Sequence, residues 1–233
     1  METARGIVVA ADVSDLSMLI KLTEAAGRVE EVKAIKIGFQ LALQHSLRTV
    51  VSAVKSTAPL RVIYDHQKAG TDIPAMGEKF ANLCALADVD EVIIFPHAGP
   101  STMEAFVTAC FRASVVPIVG LMMSHARFLR LDGGYITDTA PAQILRHASN
   151  LGVESFVLPG NKPQLTRAYV DQLSAVRRVR FYMPGIGTQG GSIAEACAAV
   201  APHNPYPIIG SAIYKDADPY AAMRRFAKQL EAS

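Results

Sequence analysis

Short apolar runs that alternate with amphipathic segments constrain this chain more than any other feature. Eight such runs recur along the 233 residues, rich in β-branched side chains and almost free of polar interruption. Near-continuous apolar runs of this length are typical of parallel strands that are buried on both faces. We predict strands at 6–11, 34–38, 60–64, 91–95, 115–121, 155–158, 179–183 and 206–210.

The segments between these runs have apolar residues at a spacing of three to four, which is typical of helices that cover a sheet. They predict helices at 16–26, 42–56, 75–87, 102–112, 142–151, 164–176, 193–201 and 219–231. Eight strands alternating with eight helices predict an α/β fold, a (β/α)8 TIM barrel, as a single domain over residues 1–233. A doubly wound open sheet is the competing arrangement.

Composition excludes several classes of protein. Half of the residues are hydrophobic and 19% are charged, so the chain can bury a core and is not disordered. A net charge of +2 without a basic stripe argues against nucleic-acid binding. No apolar stretch reaches the roughly 20 residues of a membrane span, and the first run is shorter than the ~7–15-residue core of a signal peptide. We therefore expect a cytoplasmic protein with no membrane and no nucleic-acid partner.

The cysteine and histidine spacings argue against a metal site. The three cysteines are widely separated, without a CxxC pair, and no two histidines have the spacing of metal ligands. We expect reduced thiols, no bound metal and no cofactor.

Charged residues cluster at the ends of the first three predicted strands, where a barrel holds its chemistry. Asp12 ends the first strand, Lys36 lies in the second, and Asp65 ends the third with Lys68 and Asp72 close behind. Charges in a barrel mouth are costly unless they are paired, and alternating acids and bases provide that pairing. A lysine between carboxylates stays protonated and can give a proton to a developing carbanion. The cluster favours decarboxylation, with a stabilising ion-pair network as the alternative.

Two glycine-containing segments follow the last two predicted strands: PGIGTQGG at 184–191 and IIGSAIY at 208–214. Many barrels bind phosphate at this place through backbone N–H groups. The Gln189 amide and the Ser211 hydroxyl are additional donors. We predict a site for phosphate or a similar anion, although a tight turn alone would explain either segment.

Taken in order, these residues resemble the orotidine 5′-monophosphate decarboxylase family. The resemblance extends from Asp12 to Pro219 and rests on the ordered set of motifs, since no single piece is decisive. Besides Asp12 and the two glycine-containing segments, the motifs are IKIG at 35–38, the charged cluster ending in DIP at 72–74, PHAG at 96–99, MSH at 123–125, PGNKP at 159–163 and DP at 218–219.

The resemblance implies a role for each matching residue. Asp65 lies against the scissile carboxylate, Lys68 protonates the carbon that loses carbon dioxide, and Asp72 reaches into the site of the partner subunit. Asp12 and Lys36 hold the ribose hydroxyls, and Lys36 also joins the charged network. The remaining contacts to the substrate are implied for Ser124, Gln189, Gly210 and Ser211. A nucleotide substrate and a homodimer with shared active sites follow from the same resemblance.

Three positions depart from the family pattern. The usual D-x-K-x-x-D spacing is D-x-x-K-x-x-x-D between Asp65 and Asp72, and the extra residue before the lysine requires a bulge or an early end of the strand. Met76 stands where the family usually has threonine. Ser211 replaces the usual phosphate-binding arginine, so we expect Lys215 or Lys162 to supply the missing cation.

The function expected from this resemblance is decarboxylation of orotidine 5′-monophosphate to uridine 5′-monophosphate in de novo pyrimidine biosynthesis, by a carboxy-lyase that needs no metal. Two alternatives remain at this point. One is a magnesium-dependent sugar-phosphate decarboxylase or aldolase of the same barrel group, whose members generally carry an acidic metal ligand at the position of Lys36. The other is a barrel that binds a nucleotide without catalysis.

Overall fold

A closed barrel of eight parallel strands forms the centre of the molecule in a computed structural model that describes residues 5–66, 70–173 and 178–233. Each strand pairs with its successor in the chain, and the last pairs with the first, so the predicted barrel is confirmed over the open sheet. The strands are β1 Ile7–Ala11, β2 Val32–Gly38, β3 Arg61–Asp65, β4 Glu91–Ile94, β5 Val116–Gly120, β6 Ser155–Val157, β7 Arg180–Met183 and β8 Asn204–Ile209.

Helices follow the strands and cover the outside of the barrel. They are α1 Leu16–Ala26, α2 Phe39–His45, α3 Leu47–Thr57, α4 Gly77–Leu86, α5 Pro100–Arg112, α6 Ala140–Asn150, α7 Pro163–Val170, α8 Ile193–Val200, α9 Ser211–Tyr214 and α10 Pro219–Glu231, with 3-10 turns at Pro74–Met76 and Arg130–Asp132. Within the described ranges, no helix has the length and apolarity needed to cross a membrane.

The helix predicted at 42–56 is wrong in one respect, because two helices occupy this part of the chain. Ser46 separates α2 from α3 with a φ of 64°, in the left-handed region. Its hydroxyl accepts a hydrogen bond from the Thr49 N–H at 3.4 Å and so caps the second helix. Apolar residues resume their three-to-four spacing after a single break, so periodicity does not detect it.

The core has two layers separated by the barrel wall. Side chains that point into the barrel include Val8, Ile63, Ile118 and Tyr182, while a larger cluster fills the space between strands and helices. Successive side chains on a strand face opposite sides, so every second residue of β3 points inward. The same alternation directs charged residues into both ends of the barrel.

A buried ionic network fills the amino-terminal end of the barrel. Glu91 is only 2% exposed, pairs with Arg61, and lies 3.5 Å from the Arg180 guanidinium. The Tyr182 hydroxyl donates to Glu91 Oε2 at 2.6 Å, and its ring stacks on Tyr206 with centroids 5.1 Å apart. Burial and the Glu91 charge raise the pKa of Tyr182, so this phenol remains a donor. The network thus satisfies the buried Glu91 carboxylate at the end of the barrel opposite the candidate site.

Candidate active site

A cavity of about 350 Å³ opens at the carboxyl-terminal ends of the strands. Its charged end is formed by Asp12 directly after β1, Lys36 of β2 and Asp65 at the end of β3. Its opposite end, which we call the anion end, is formed by the loops after β7 and β8. The lining residues there include Gly185, Thr188, Gln189, Gly210, Ser211 and Tyr214.

Lys36 joins the two acids of the charged end. Its Nζ lies 3.0 Å from Asp65 Oδ2 and 3.2 Å from Asp12 Oδ1. Lys36 pairs in register with Ala10 on β1 and Ile63 on β3, so its side chain extends into the barrel between the two neighbouring strands. The structure therefore brings together the three strand-end residues that the sequence singled out, as an acid–lysine–acid triad.

The electrostatics of the triad keep Lys36 positively charged. Burial alone would lower the pKa of Lys36, but the charges of Asp65 and Asp12 outweigh burial and raise it above the ordinary lysine value. Lys36 and Asp65 are each 8% exposed, whereas half of the Asp12 side chain is exposed. Lys36 is thus a fixed cation that positions two carboxylates, both of which line the cavity, and Asp12 is the more exposed of the two.

β3 ends at Asp65, where the unusually spaced acidic cluster begins, and His66 is already outside the strand. Residues 67–69 lie outside the described residues, so the choice between a bulge and an early strand end stays a prediction. Lys68 itself lies outside the described residues, and its role stays a prediction. His66 lies beside α4, with Nδ1 2.6 Å from the Tyr64 hydroxyl and its ring 6.3 Å from that of Phe80.

Asp72 is not brought to the triad of its own chain. Its side chain is exposed, and its Oδ1 accepts a hydrogen bond from the N–H of Ile73 at 2.7 Å. Its carbonyl accepts a hydrogen bond from the Thr102 hydroxyl of α5 at 2.8 Å, which fixes the loop against that helix. The predicted contribution of Asp72 to a partner's site stays a prediction.

The loop after β7 is shaped by its glycines. Three glycines of this loop have positive φ values that residues with a Cβ rarely adopt. The values are 93° at Gly185, 83° at Gly187 and 86° at Gly190. The Gly191 N–H donates to the Gly185 carbonyl at 3.0 Å, and the Gly190 N–H to the Gly187 carbonyl at 2.8 Å. A Cβ at Gly187 would lie 2.9 Å from the Cβ of Ala212, so this loop packs directly on the turn after β8.

Ser124 lies in the cavity wall, and residues after β6 hold its segment. The Asn161 side-chain amide donates to the Ser124 carbonyl at 3.4 Å, and Lys162 Nζ donates to the His125 carbonyl at 3.0 Å. Neither Lys162 nor Lys215 is among the described residues that line the cavity. The structure thus does not place either expected substitute for the missing arginine in this wall.

Thr188 and Tyr214 complete the anion end, and the sequence reasoning did not single them out. The Thr188 and Ser211 hydroxyl oxygens lie 2.7 Å apart and link the two loops. The signal available for Thr188 was a hydroxyl residue between the conspicuous glycines and Gln189. Phe95, Met122 and Met123 form part of the apolar wall between the two ends.

The donor set of the charged end gives a metal ion no obvious place, because the Lys36 ammonium already lies between the two carboxylates. Over residues 5–66, 70–173 and 178–233, no three histidine, cysteine or acidic side chains form a group suited to a metal ion.

The fold and this site define a class of protein: a (β/α)8 barrel with an acid–lysine–acid triad at the ends of its first three strands. Comparison with known proteins identifies the family. The model of the orotidine 5′-phosphate decarboxylase / HUMPS family matches residues 5–226. The chain belongs to this family.

Relatives in this family match the chain over almost its whole length. Orotidine 5′-phosphate decarboxylase of Methanosarcina barkeri is 29% identical over 100% of this chain and 97% of its own. The enzyme of the same name from Methanococcus maripaludis is 28% identical over 96% of both chains. A crystal structure of orotidine 5′-monophosphate decarboxylase from Methanocaldococcus jannaschii, complexed with the inhibitor BMP, matches with a TM-score of 0.83 and 25% identity over 97% of this chain and 98% of its own.

Proposed function

We propose that this protein decarboxylates orotidine 5′-monophosphate to uridine 5′-monophosphate in pyrimidine biosynthesis. The observation that carries the proposal is the Asp12–Lys36–Asp65 triad, which opens into a cavity with an anion end across from it. The relatives described above are named for this reaction, which favours it over the sugar-phosphate alternative.

The substrate is proposed to lie across the cavity. Asp12 and Lys36 bind the ribose hydroxyls, and Ser124 contacts the edge of the pyrimidine. The phosphate lies at the anion end, near Gln189 and the turn at 210–211. The half-exposed Asp12 carboxylate supports this arrangement, because it has room to accept a hydrogen bond from a ligand while it is still paired with Lys36.

The proposed reaction needs one bond cleavage and one proton transfer. The bond between C6 of the pyrimidine and its carboxylate breaks, carbon dioxide leaves, and the electron pair stays on C6. The Lys68 ammonium then gives its proton to C6, and the lysine recovers a proton from water. A positive charge beside C6 stabilises the developing carbanion before the proton moves.

The triad supports this step electrostatically. Asp65 lies beside the departing carboxylate, and their repulsion is relieved when neutral carbon dioxide forms. Lys36 holds the Asp65 carboxylate at 3.0 Å and prevents it from turning away. Because the cation of this site is a lysine, we propose that activity survives a chelator and is not raised by added magnesium.

We further propose that the chain is one domain, acts in the cytoplasm as a homodimer, and completes each site with Asp72 of the partner subunit. The exposed position of Asp72 outside its own cavity lining is consistent with such sharing.

Lys68→Ala tests the proposed reaction. Turnover, followed as loss of the orotate ultraviolet absorbance, should fall by about 10²–10⁴-fold, because general acid catalysis contributes on this order. Circular dichroism should show an unchanged fold. His66→Ala is the matched control, since His66 lies beside α4, and it should lose far less activity. Lys68→Ala activity within about tenfold of wild type would reject the role of this lysine.

A further inference from the structure

Two hydroxyl groups meet at the anion end of the cavity. Thr188 Oγ1 and Ser211 Oγ are 2.7 Å apart, although the residues are 23 positions apart in the chain. Both line the cavity, so a ligand there is within reach of both side chains. We call Thr188 and Ser211 the hydroxyl pair.

The surroundings of the hydroxyl pair are poor in positive charge. Lys36 is the one basic side chain among the described residues of the cavity wall, and it is paired with two carboxylates at the opposite end. Lys162 instead donates to the His125 carbonyl. The side chains of the anion end that can donate hydrogen bonds are therefore neutral ones: two hydroxyls, the Gln189 amide and the Tyr214 phenol.

We propose that the hydroxyl pair determines how strongly this protein prefers a phosphorylated ligand, and that it recognises the phosphate without a cationic side chain. This inference rests on the proposed function for the identity of the ligand, a pyrimidine nucleotide. In this structure one hydroxyl donates to the other and links the loop after β7 to the turn after β8. A bound phosphate accepts from both.

Phosphate binding by neutral hydroxyls and phosphate binding by a cationic side chain differ in their dependence on salt. Each hydroxyl has one proton, and the pair uses only one of the two internally, so both can be redirected to phosphate oxygens. Hydrogen bonds to a charged partner are stronger than those between neutral groups. Attraction to a guanidinium is long-ranged and screened by salt, whereas short-range donation from hydroxyls is less sensitive to salt.

The experiment compares the dissociation constants of uridine 5′-monophosphate and uridine by titration calorimetry. Their ratio is the phosphate preference, and it is independent of turnover. We expect Thr188→Val and Ser211→Ala each to lower this preference roughly tenfold or more, by the worth of a hydrogen bond to a charged group. Uridine affinity should stay within about twofold, since the change does not touch the nucleoside end.

Three further variants sharpen the comparison. Thr188→Ser keeps the hydroxyl and should keep most of the preference. Ser192→Ala is the matched control, because Ser192 is an exposed serine of the same loop that makes no side-chain capping bond. Ser211→Arg should raise the preference at low salt and lose that gain between about 0.05 and 0.3 M salt, where the wild type changes little.

The outcomes separate this inference from the proposed function. Unchanged preference in both Thr188→Val and Ser211→Ala overturns the inference, as does a wild type that binds uridine as tightly as its monophosphate. A wild type that prefers the monophosphate, loses the preference in these variants and yet fails to decarboxylate overturns the proposed function alone.

Discussion

Two lysines in this chain each bridge two carboxylates, and they differ chiefly in burial. Lys36 lies between Asp12 and Asp65 at the carboxyl end of the barrel. Lys55 on α3 lies 3.1 Å from Asp88 and 3.0 Å from Asp90, with its side chain 26% exposed. A buried charge that loses its partner is costly, whereas an exposed pair contributes little. The same arrangement of residues therefore has different consequences at the two places.

Lys36→Gln should destabilise the protein by about 3–5 kcal/mol, because it removes the buried cation that is paired with Asp65 and Asp12. Lys55→Gln, which removes the more exposed of the two lysines, should cost below about 1 kcal/mol. Urea unfolding at neutral pH measures both. If both variants lowered the free energy of unfolding equally, burial would not be what distinguishes the two lysines.

The raised pKa of Lys36 also predicts an alkaline dependence. A lysine whose pKa is raised by folding contributes stability that is fully present below its unfolded pKa of about 10.4 and is lost as pH rises through the folded value. The difference in unfolding free energy between wild type and Lys36→Gln should thus shrink above about pH 10.4. Tyr64, whose pKa is raised by burial to about 12, is common to both proteins and cancels in the comparison. A constant difference up to pH ~12 would argue against this contribution.

Sequence reasoning reached the residues of the triad because Asp12 and Asp65 lie where strands end, Lys36 lies in the strand between them, and strand ends converge in a barrel. Thr188 was missed because its partner Ser211 lies on another loop, a pairing that only the folded chain reveals. The placement of Asp72 could not be derived from one chain, since its predicted neighbour belongs to a partner subunit. The expectation that Lys162 or Lys215 replaces the missing arginine followed from the charge of these residues alone. The charge of a residue does not show where its side chain points.

At the scale of elements, the strands were predictable because burial on both faces leaves an uninterrupted apolar run. Every predicted strand overlaps an observed one, as do the helices Leu16–Ala26 and Pro219–Glu231, whose ends also match. The break at Ser46 and the 3-10 turn Pro74–Met76 were not predictable from periodicity. Both features depend on the backbone angles of single residues, whereas periodicity reports only which face of a helix or strand is apolar.

Ser114 follows the end of α5 with a φ of 58°, a conformation that costs a residue with a Cβ roughly 1 kcal/mol. Ser114→Gly should therefore stabilise the protein by about 0.5–1 kcal/mol. Ser52, an exposed residue inside α3, is the control. Ser52→Gly should destabilise by about 0.5 kcal/mol or less, because glycine is less favourable than serine within a helix. Thermal unfolding of both variants shows whether each change stabilises or destabilises the protein. Destabilisation by Ser114→Gly would contradict the backbone strain assigned to Ser114.

At the scale of the whole molecule, two acids of the charged cluster face different directions. Asp65, the last residue of β3, points into the cavity of its own barrel. Asp72 and Ile73 are exposed, with Ile73 62% exposed, and the Thr102 hydroxyl of α5 holds their segment through the Asp72 carbonyl. The exposed position of Asp72 leaves its carboxylate free to meet a second copy of the chain, as the proposed shared site requires. A two-fold dimer would present both copies of this segment to each other.

Mixing two inactive variants tests the shared site. Lys68→Ala and Asp72→Ala chains should each be inactive, and a heterodimer should contain one intact site. Full exchange of an equimolar mixture should restore about a quarter of wild-type turnover. Mass spectrometry of the mixture verifies that heterodimers form. Heterodimers without activity would show that the two residues act in the same chain.

The inward charges of β3 have a consequence for how the length of this chain can vary in evolution. Arg61 pairs with Glu91 at one end of the strand, and Asp65 pairs with Lys36 at the other. One residue inserted or deleted between them would turn one of these charges out of the barrel, because side chains alternate along a strand. Length changes are thus disfavoured within β3, and positions beyond Asp65 are free of this restriction. The two additional residues that distinguish this chain from the common family spacing lie there, one between Asp65 and Lys68 and one between Lys68 and Asp72.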